Sequence, residues 1–462
     1  MLLLCFAFNT IPRNIVQAIN TGNNSFVDLK SNSIDNSYES IIESLNSIIH
    51  PLNSSPLELS DADLEPLSYL GDSKIVGLGE ATHGTKEFFQ MKHRIFKYLV
   101  EKHGFKVFAF ECDMGESYYV DKFVTEGKGD IDYIMKNIMH FWTWRTEEVK
   151  DLLLWMKEYN EDKSEQDKIH FIGVDCQFMT YQSDIILNYF DETNVPLSYD
   201  SVKFLNEIRK LKIENHIDFI KSKLYYRFMT QNKKIKFDQN VDLLLAEIED
   251  KKDELIDASS EFEYLFIKQI ALNIKQVHDF KYNVLRWRYS GTNYRDLYMA
   301  ENTLWTSDLF GEDTKVALWA HNMHVSNYES FGTTGSHLKE ELNDEYQIVG
   351  FSFSLGSFVA RDMLRPLAKP ITHQIKQEPK LGSINYVFHH AKYDNFILRE
   401  IDIQEDSDFD NYISQPQFFF TAGSGFNIFQ YKLGRYYYPI DLKEMFDVLI
   451  NWDTTKAAEQ LN

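Results

Sequence analysis

Four short apolar runs set the frame: Lys74–Leu78, Lys106–Phe110, Ile169–Val174 and Val316–Ala320. None alternates with polar residues, so each reads as a strand buried on both faces, the mark of a parallel sheet. Between them the period changes. From Glu87 to His103, Phe88, Phe89, Met91, Ile95, Phe96, Leu99 and Val100 recur at helical spacing, and Gly104 supplies a stop. Glu147 to Tyr159 repeats the pattern. Strand–helix–strand alternation predicts an α/β fold with a largely parallel central sheet flanked by helices.

Residues 200–290 follow a different design. Ser201–Leu224, Val241–Ile256 and Ser260–Tyr289 are long, charged and amphipathic, without strand signals. They predict a helical insertion that could serve as a lid over a cleft. Strand-like runs return at Tyr346–Phe353, Ile384–Phe388 and Arg435–Leu442 and are expected to complete the sheet. Ahead of Pro56 the chain is rich in Asn and Ser, with one amphipathic helix expected at Ser37–Ile49. The organisation is therefore a poorly ordered leader and N-terminal helix (1–55), a first part of the α/β core (56–199), the helical insertion (200–290) and a second part of the core (291–462).

Composition narrows the function classes. The 462 residues are 44% hydrophobic and 15% aromatic, enough for a large core and against wholesale disorder. The net charge of −22 repels phosphate backbones and anionic lipid, which argues against nucleic acid and membrane surfaces as partners. Three cysteines, Cys5, Cys112 and Cys176, form no metal-binding spacing, and disulfides do not build the fold. No internal run reaches the roughly 18 apolar residues of a membrane span. Met1–Phe8 is apolar but short, with no preceding basic residue. The favoured reading is a terminal tail on a cytoplasmic protein; an export signal cut short is the alternative.

In open parallel sheets, ligands bind beyond the carboxyl ends of the strands. Here those ends carry Glu80, His83, Glu111, Asp175, His321 and His324. One such residue is bland; four strands ending alike favour a functional rim. The chain has no G-x-S-x-G elbow, no Walker A loop and no G-x-G-x-x-G. Ala422–Gly425 reads as a turn. Two chemistries stay open at this point. The His/Glu set could hold a divalent metal, or it could do acid–base work directly with no cofactor.

The motifs go further when read together. Gly79-Glu80-Ala81-Thr82-His83-Gly84, Glu87-Phe88-Phe89 and Phe110-Glu111 come first. Then follow His140-Phe141-Trp142-Thr143-Trp144 with Thr146–Val149, Trp155-Met156 with Tyr159-Asn160, and Gly173-Val174-Asp175 with Gln177. Arg295-Asp296 with Met299-Ala300 and Asn302, Ala320-His321-Asn322 with His324, and Phe446-Asp447 close the set. This series resembles the erythromycin esterase family over about residues 56–450.

The resemblance implies an α/β fold with a helical lobe and a deep cleft, and hydrolysis of a macrolide lactone ester without metal. By position, His83 resembles the general base for water. Glu80 and Glu111 resemble its orienting and charge-balancing carboxylates, His321 and His324 the opposite wall, and Arg295 a cleft cation. Asp175, His140, Trp142 and Trp144 are further substrate-binding candidates; for the two tryptophans a core role weighs equally. Ala81-Thr82 and Gly84 follow the wider family and depart from its macrolide-resistance branch, and Lys92 stands where that branch can carry Arg. The expected partner is a small molecule, macrolide-like by the resemblance, with the oligomeric state open. The alternatives are a metal-dependent hydrolase using the same residues and a non-catalytic small-ligand-binding protein on the same fold.

Overall fold

The computed structural model describes residues 36–461 except 214–215, 288–290 and 366–367. The leader expected at the N-terminus lies outside the described residues up to position 35. The chain divides into two compact units. One takes the N-terminal chain to Pro66, Glu80–Phe88 and Gly350–Ala458; the other takes Leu67–Gly79, Phe89–Val349 and the last residues from Glu459.

The second unit is built on parallel strands: β1 (Ile75–Leu78), β2 (Val107–Asp113), β3 (His170–Asp175), β4 (Val316–Trp319) and the first part of β5 (Tyr346–Ser352). Their order is β5-β1-β4-β2-β3. The register starts level: Ile75 faces Val316 and Tyr346, and Val107 faces Val316 and His170. Level starts put the carboxyl ends on one edge of this sheet. All residues of β1 to β4 are buried, as expected of strands covered on both faces. β2 runs on past the apolar run, and its register shifts between Phe110 and Asp113, where Asp113 comes opposite Asp175.

Helices cover this sheet: α1 (Lys86–His103), α2 (Met114–Glu126), α3 (Glu147–Asn160) and α4 (Gln182–Glu192). α3 starts where Thr146 accepts the Val149 N–H at 3.2 Å, with Glu147 and Glu148 in the first turn, so cap and dipole agree. The three helices expected between 200 and 290 are five: α5 (Tyr199–Arg209), α6 (His216–Arg227), α7 (Gln231–Asp250), α8 (Lys252–Ala258) and α9 (Glu261–Trp287). Thr230 caps α7 by accepting the Lys233 N–H, a break that an amphipathic pattern alone does not signal. α10 (Gly291–Leu309), α11 (Asn322–Val325) and α12 (Thr334–Leu342) complete the unit.

The first unit is mostly antiparallel. Strand Asn395–Arg399 pairs with His50–Pro51 and with Val448–Trp452. Leu355–Asp362 pairs antiparallel with Ile371–Ile375, and parallel with Gly425–Phe426 and Thr454–Thr455. Gln417–Phe420 pairs with Tyr437–Ile440. As expected, the C-terminal third adds to the central sheet: with His50–Pro51, the strands Asn395–Arg399 and Val448–Trp452 bring it to eight strands, while the remaining C-terminal strands form separate small ladders. Ile384–Phe388 is corrected: it is a helix, Ile384–His389, started by Ser383 accepting the Tyr386 N–H. A short run buried all round looks the same in sequence whether helix or strand. The N-terminal helix is Glu39–Asn46, shorter than expected. Among the described residues no helix is long and apolar enough to cross a membrane.

Candidate active site

The motif Glu80–Phe88 lies in the first unit, and its backbone is stapled on several sides. The Ala81 carbonyl accepts the Ala422 N–H at 2.8 Å and the Thr421 hydroxyl at 3.3 Å. The Gly84 carbonyl accepts the N–H groups of Val359 and Ala458, both at 2.9 Å. A Cβ on Gly84 would sit 2.1 Å from the Val359 carbonyl oxygen, so only glycine allows this approach. The Thr82 and Thr85 hydroxyls meet at 2.5 Å. A carboxylate and a ring are thus held on a rigid turn.

Glu80 is fully buried, and its Oε1 lies 2.6 Å from His83 Nδ1; the His83 side chain is 12% exposed. A carboxylate at Nδ1 selects the tautomer that carries the Nδ1 proton, which puts the lone pair on Nε2. Gly423 flanks the ring: a Cβ there would come 3.9 Å from His83 Cδ2. The Ala422–Gly425 segment, read from sequence as a turn, is therefore part of the histidine's surroundings.

The second unit holds a buried charge network at the carboxyl ends of its strands. Arg295, on α10, donates to both Asp175 oxygens, Nε at 2.9 Å and Nη2 at 2.8 Å, and from Nη2 to Glu111 Oε1 at 2.7 Å. The other Glu111 oxygen accepts the His321 backbone N–H at 2.9 Å. Burial lowers the Arg295 pKa, but Asp175 and Glu111 outweigh it and hold the guanidinium well above its usual range. His324 Nδ1 lies 2.6 Å from Asp296 Oδ1, and its Nε2 lies 2.8 Å from Arg295 Nη1 and 3.4 Å from Glu111 Oε1. Burial depresses His324, yet Asp296 and Glu111 raise it above the ordinary imidazole range. Arg295 can donate to Nε2 only in the neutral ring; in the protonated ring the acceptor within reach of Nε2–H is Glu111 Oε1. Asp296 is itself braced by the N–H and hydroxyl of Thr334 at the start of α12, at 3.1 and 3.0 Å. His321 caps α11, its Nδ1 accepting the Met323 N–H at 3.2 Å.

The remaining sequence candidates separate. Lys92 is fully buried, its Nζ 4.3 Å from the Trp319 ring centroid and 3.5 Å from the Ala320 carbonyl. Trp144 lies in the aromatic core against Phe110 and Phe89, and its indole N–H donates to the Glu111 carbonyl at 3.0 Å. It supports Glu111 from within the core and does not line a wall. Trp142 is half-buried in the same short helix. His140 joins a different group: Nδ1 pairs with the buried Glu116, Nε2 lies 3.0 Å from the Thr180 hydroxyl, and the ring stacks on Phe178.

Sequence reasoning missed the neighbours of that group. Burial, with the charges of Glu116 and Asp175, pushes Asp113 well above the usual carboxylate range. Burial pulls Lys281 down to about 8 against the opposing charge of Asp113. Asp113 stands two residues after Glu111, past the apolar run, and only the bulged extension of β2 brings it opposite Asp175. Lys281 lies on α9, in the stretch Ser260–Tyr289 that the sequence marks only as charged and amphipathic. Of the arginines clustered near Arg295 in sequence, Arg286 and Arg288 have no described side chains.

Residues 100–455 match the family profile described as Erythromycin esterase. The chain belongs to the erythromycin esterase family. Erythromycin esterase type II of Escherichia coli is 25% identical over 316 residues, covering 64% of this chain and 73% of the relative. YbfO of Bacillus subtilis (strain 168), provisionally called a hydrolase, is 25% identical over 365 residues, covering 71% and 75%. A crystal structure titled as a succinoglycan biosynthesis protein superposes with a TM-score of 0.77 at 25% identity, covering 93% of this chain and all of that one. The erythromycin esterase EreC, a histidine-to-asparagine mutant in its open conformation, gives 0.63 at 16% identity over 88% and 96%, a likeness of fold. Erythromycin esterase family membership and these relatives make the chain a hydrolase, on the mixed α/β fold with a largely parallel sheet that its sequence predicts.

Proposed function

We propose that this protein hydrolyses a carboxylic ester, with a macrolide-like lactone as the substrate class suggested by its relative of that name, through water activated by His83. The observation that supports the reading is the Glu80–His83 pair, a buried carboxylate 2.6 Å from Nδ1 of a partly exposed ring. In this reading Nε2 takes a proton from water as its oxygen bonds to the ester carbonyl carbon. The tetrahedral oxyanion then collapses, the carbon–alkoxide bond breaks, and the alkoxide takes a proton. A positioned base of this kind contributes about 10²–10⁴-fold. The family resemblance gives His321 and His324 as the opposite wall, Glu111 as a charge-balancing carboxylate and Arg295 as a cleft cation; in this reading His321 meets the leaving alkoxide, and His321→Asn should lower kcat severely.

The reading requires no metal. His324 fits poorly as a metal ligand in this arrangement, because Nδ1 is engaged by Asp296 and Nε2 faces the Arg295 guanidinium. The test is to incubate the purified protein with a panel of macrolides and simpler lactones and to measure the gain of one water by mass spectrometry. Product is expected with the wild type, with or without chelator, and not with His83→Asn. Activity lost to chelator and restored by a divalent ion would transfer the reaction to a metal. Saturable binding without product across the panel would favour a ligand-binding protein.

A further inference from the structure

In a chain of net charge −22, residues 209–236 carry nine Lys and Arg against two Asp and Glu. They run from the end of α5 through α6 into α7. The same segment turns large apolar side chains outward. Ile220, Leu224 and Phe228 follow at four-residue steps along one face and are 44%, 51% and 76% exposed; Ile235, at the start of α7, is 44% exposed. The inward face is already packed. Tyr226, Met229 and Tyr282 form a buried cluster, the Tyr226 hydroxyl lies 3.2 Å from His278 Nδ1, and the Tyr282 hydroxyl donates to Gln231 Oε1 at 2.8 Å. The outward apolar row therefore has no core of its own left to join.

The cations beside it divide into two kinds. Lys221 pairs with Asp218, and Lys234 with Asp238 and Asp279. Lys223, Lys233 and Lys236 are exposed and make no ion pair among the described residues.

We infer that this face docks on an anionic lipid bilayer, with Phe228, Leu224 and Ile220 entering the boundary between headgroups and acyl chains and Lys223, Lys233 and Lys236 meeting lipid phosphates. Exposed apolar side chains set among lysines suit a membrane interface, where lysine stems cover apolar surface and the ammonium stays among headgroups. A protein partner fits less well, because the cores of protein interfaces are depleted in Lys. The net charge of the whole chain argues against anionic lipid. At physiological salt, however, the Debye length is about 8 Å, so phosphates at this face sense the local lysines more than distant carboxylates.

The test is flotation of the full chain with vesicles of phosphatidylcholine alone and of phosphatidylcholine mixed with phosphatidylglycerol. Binding is expected only with the anionic lipid, weakening as salt rises. Phe228→Asp should abolish it. Combined Lys223→Gln, Lys233→Gln and Lys236→Gln should weaken it about a hundredfold, at about fivefold per lysine lost. All four positions are exposed, and an unchanged melting temperature shows that the fold is kept. No binding to anionic vesicles would overturn the inference. So would binding that both variants leave intact, which would place it on another segment such as Met1–Phe8. A dimer in sedimentation velocity that Phe228→Asp dissociates, without vesicle binding, would give the face to a second copy of the chain.

Discussion

At the scale of single residues, the same chemical group serves different ends according to its partners. Glu80 is buried against one imidazole, whereas Glu111 is shared between a guanidinium and a backbone N–H. If His83 is the base, His83→Asn lowers kcat by about 10²–10⁴-fold while circular dichroism and melting temperature stay unchanged. Glu80→Gln leaves the ring free to take the wrong tautomer and should cost a comparable factor; undiminished kcat in that variant would remove the orienting role. Asp113 makes a prediction about stability. Its pKa is raised in the fold, so between the ordinary carboxylate range and that higher value the folded state holds a proton that the unfolded state releases. Stability is therefore lost as pH rises through this interval. Asp113→Asn keeps the acceptor for the Phe178 N–H, which now lies at 2.7 Å. It should raise the unfolding midpoint near neutral pH, with the advantage fading as pH falls below about 4. Parallel denaturation curves for the two proteins across that range would refute it.

At the scale of elements, two glycines show how different causes reach the same residue type. Gly104 follows α1 with φ of 72° and open space around it, so alanine there meets only the backbone preference, about 1 kcal/mol. Gly84 faces the Val359 backbone at a distance no Cβ tolerates. Gly84→Ala should cost more than Gly104→Ala, about 1–3 kcal/mol or beyond, and should lower kcat because the turn carries His83. Thermal denaturation of both variants beside kinetics checks the order; equal losses would show that the staple is loose. Elements also mark where sequence reading stopped. Its four apolar runs correspond to β1 to β4 within a residue at most boundaries, because strands buried on both faces tolerate no polar alternation. Ile384–Phe388 shows the same pattern as a helix, since burial and not periodicity sets its composition.

At the scale of the whole molecule, net charge is a poor guide to any one face. The acidic surface should help capture of a cationic amino-sugar macrolide only weakly, because screening removes charges beyond about 8 Å. KM for such a substrate is expected to rise only modestly with ionic strength, and a steep rise would assign net charge a part in substrate choice. The sequence by itself determined the α/β class, the strand ends that bear ionisable residues, and the family, because these depend on local pattern and motif order. Arg295 stands 120 positions from Asp175 and 184 from Glu111, and α10 brings it to both. Asp296 becomes the partner of His324, Gly423 the neighbour of His83, and Asp113 a buried acid beside Glu116. Those pairings, and the outward turn of Phe228, were decided only by tertiary structure, because burial and electrostatic environment depend on which distant segments pack together.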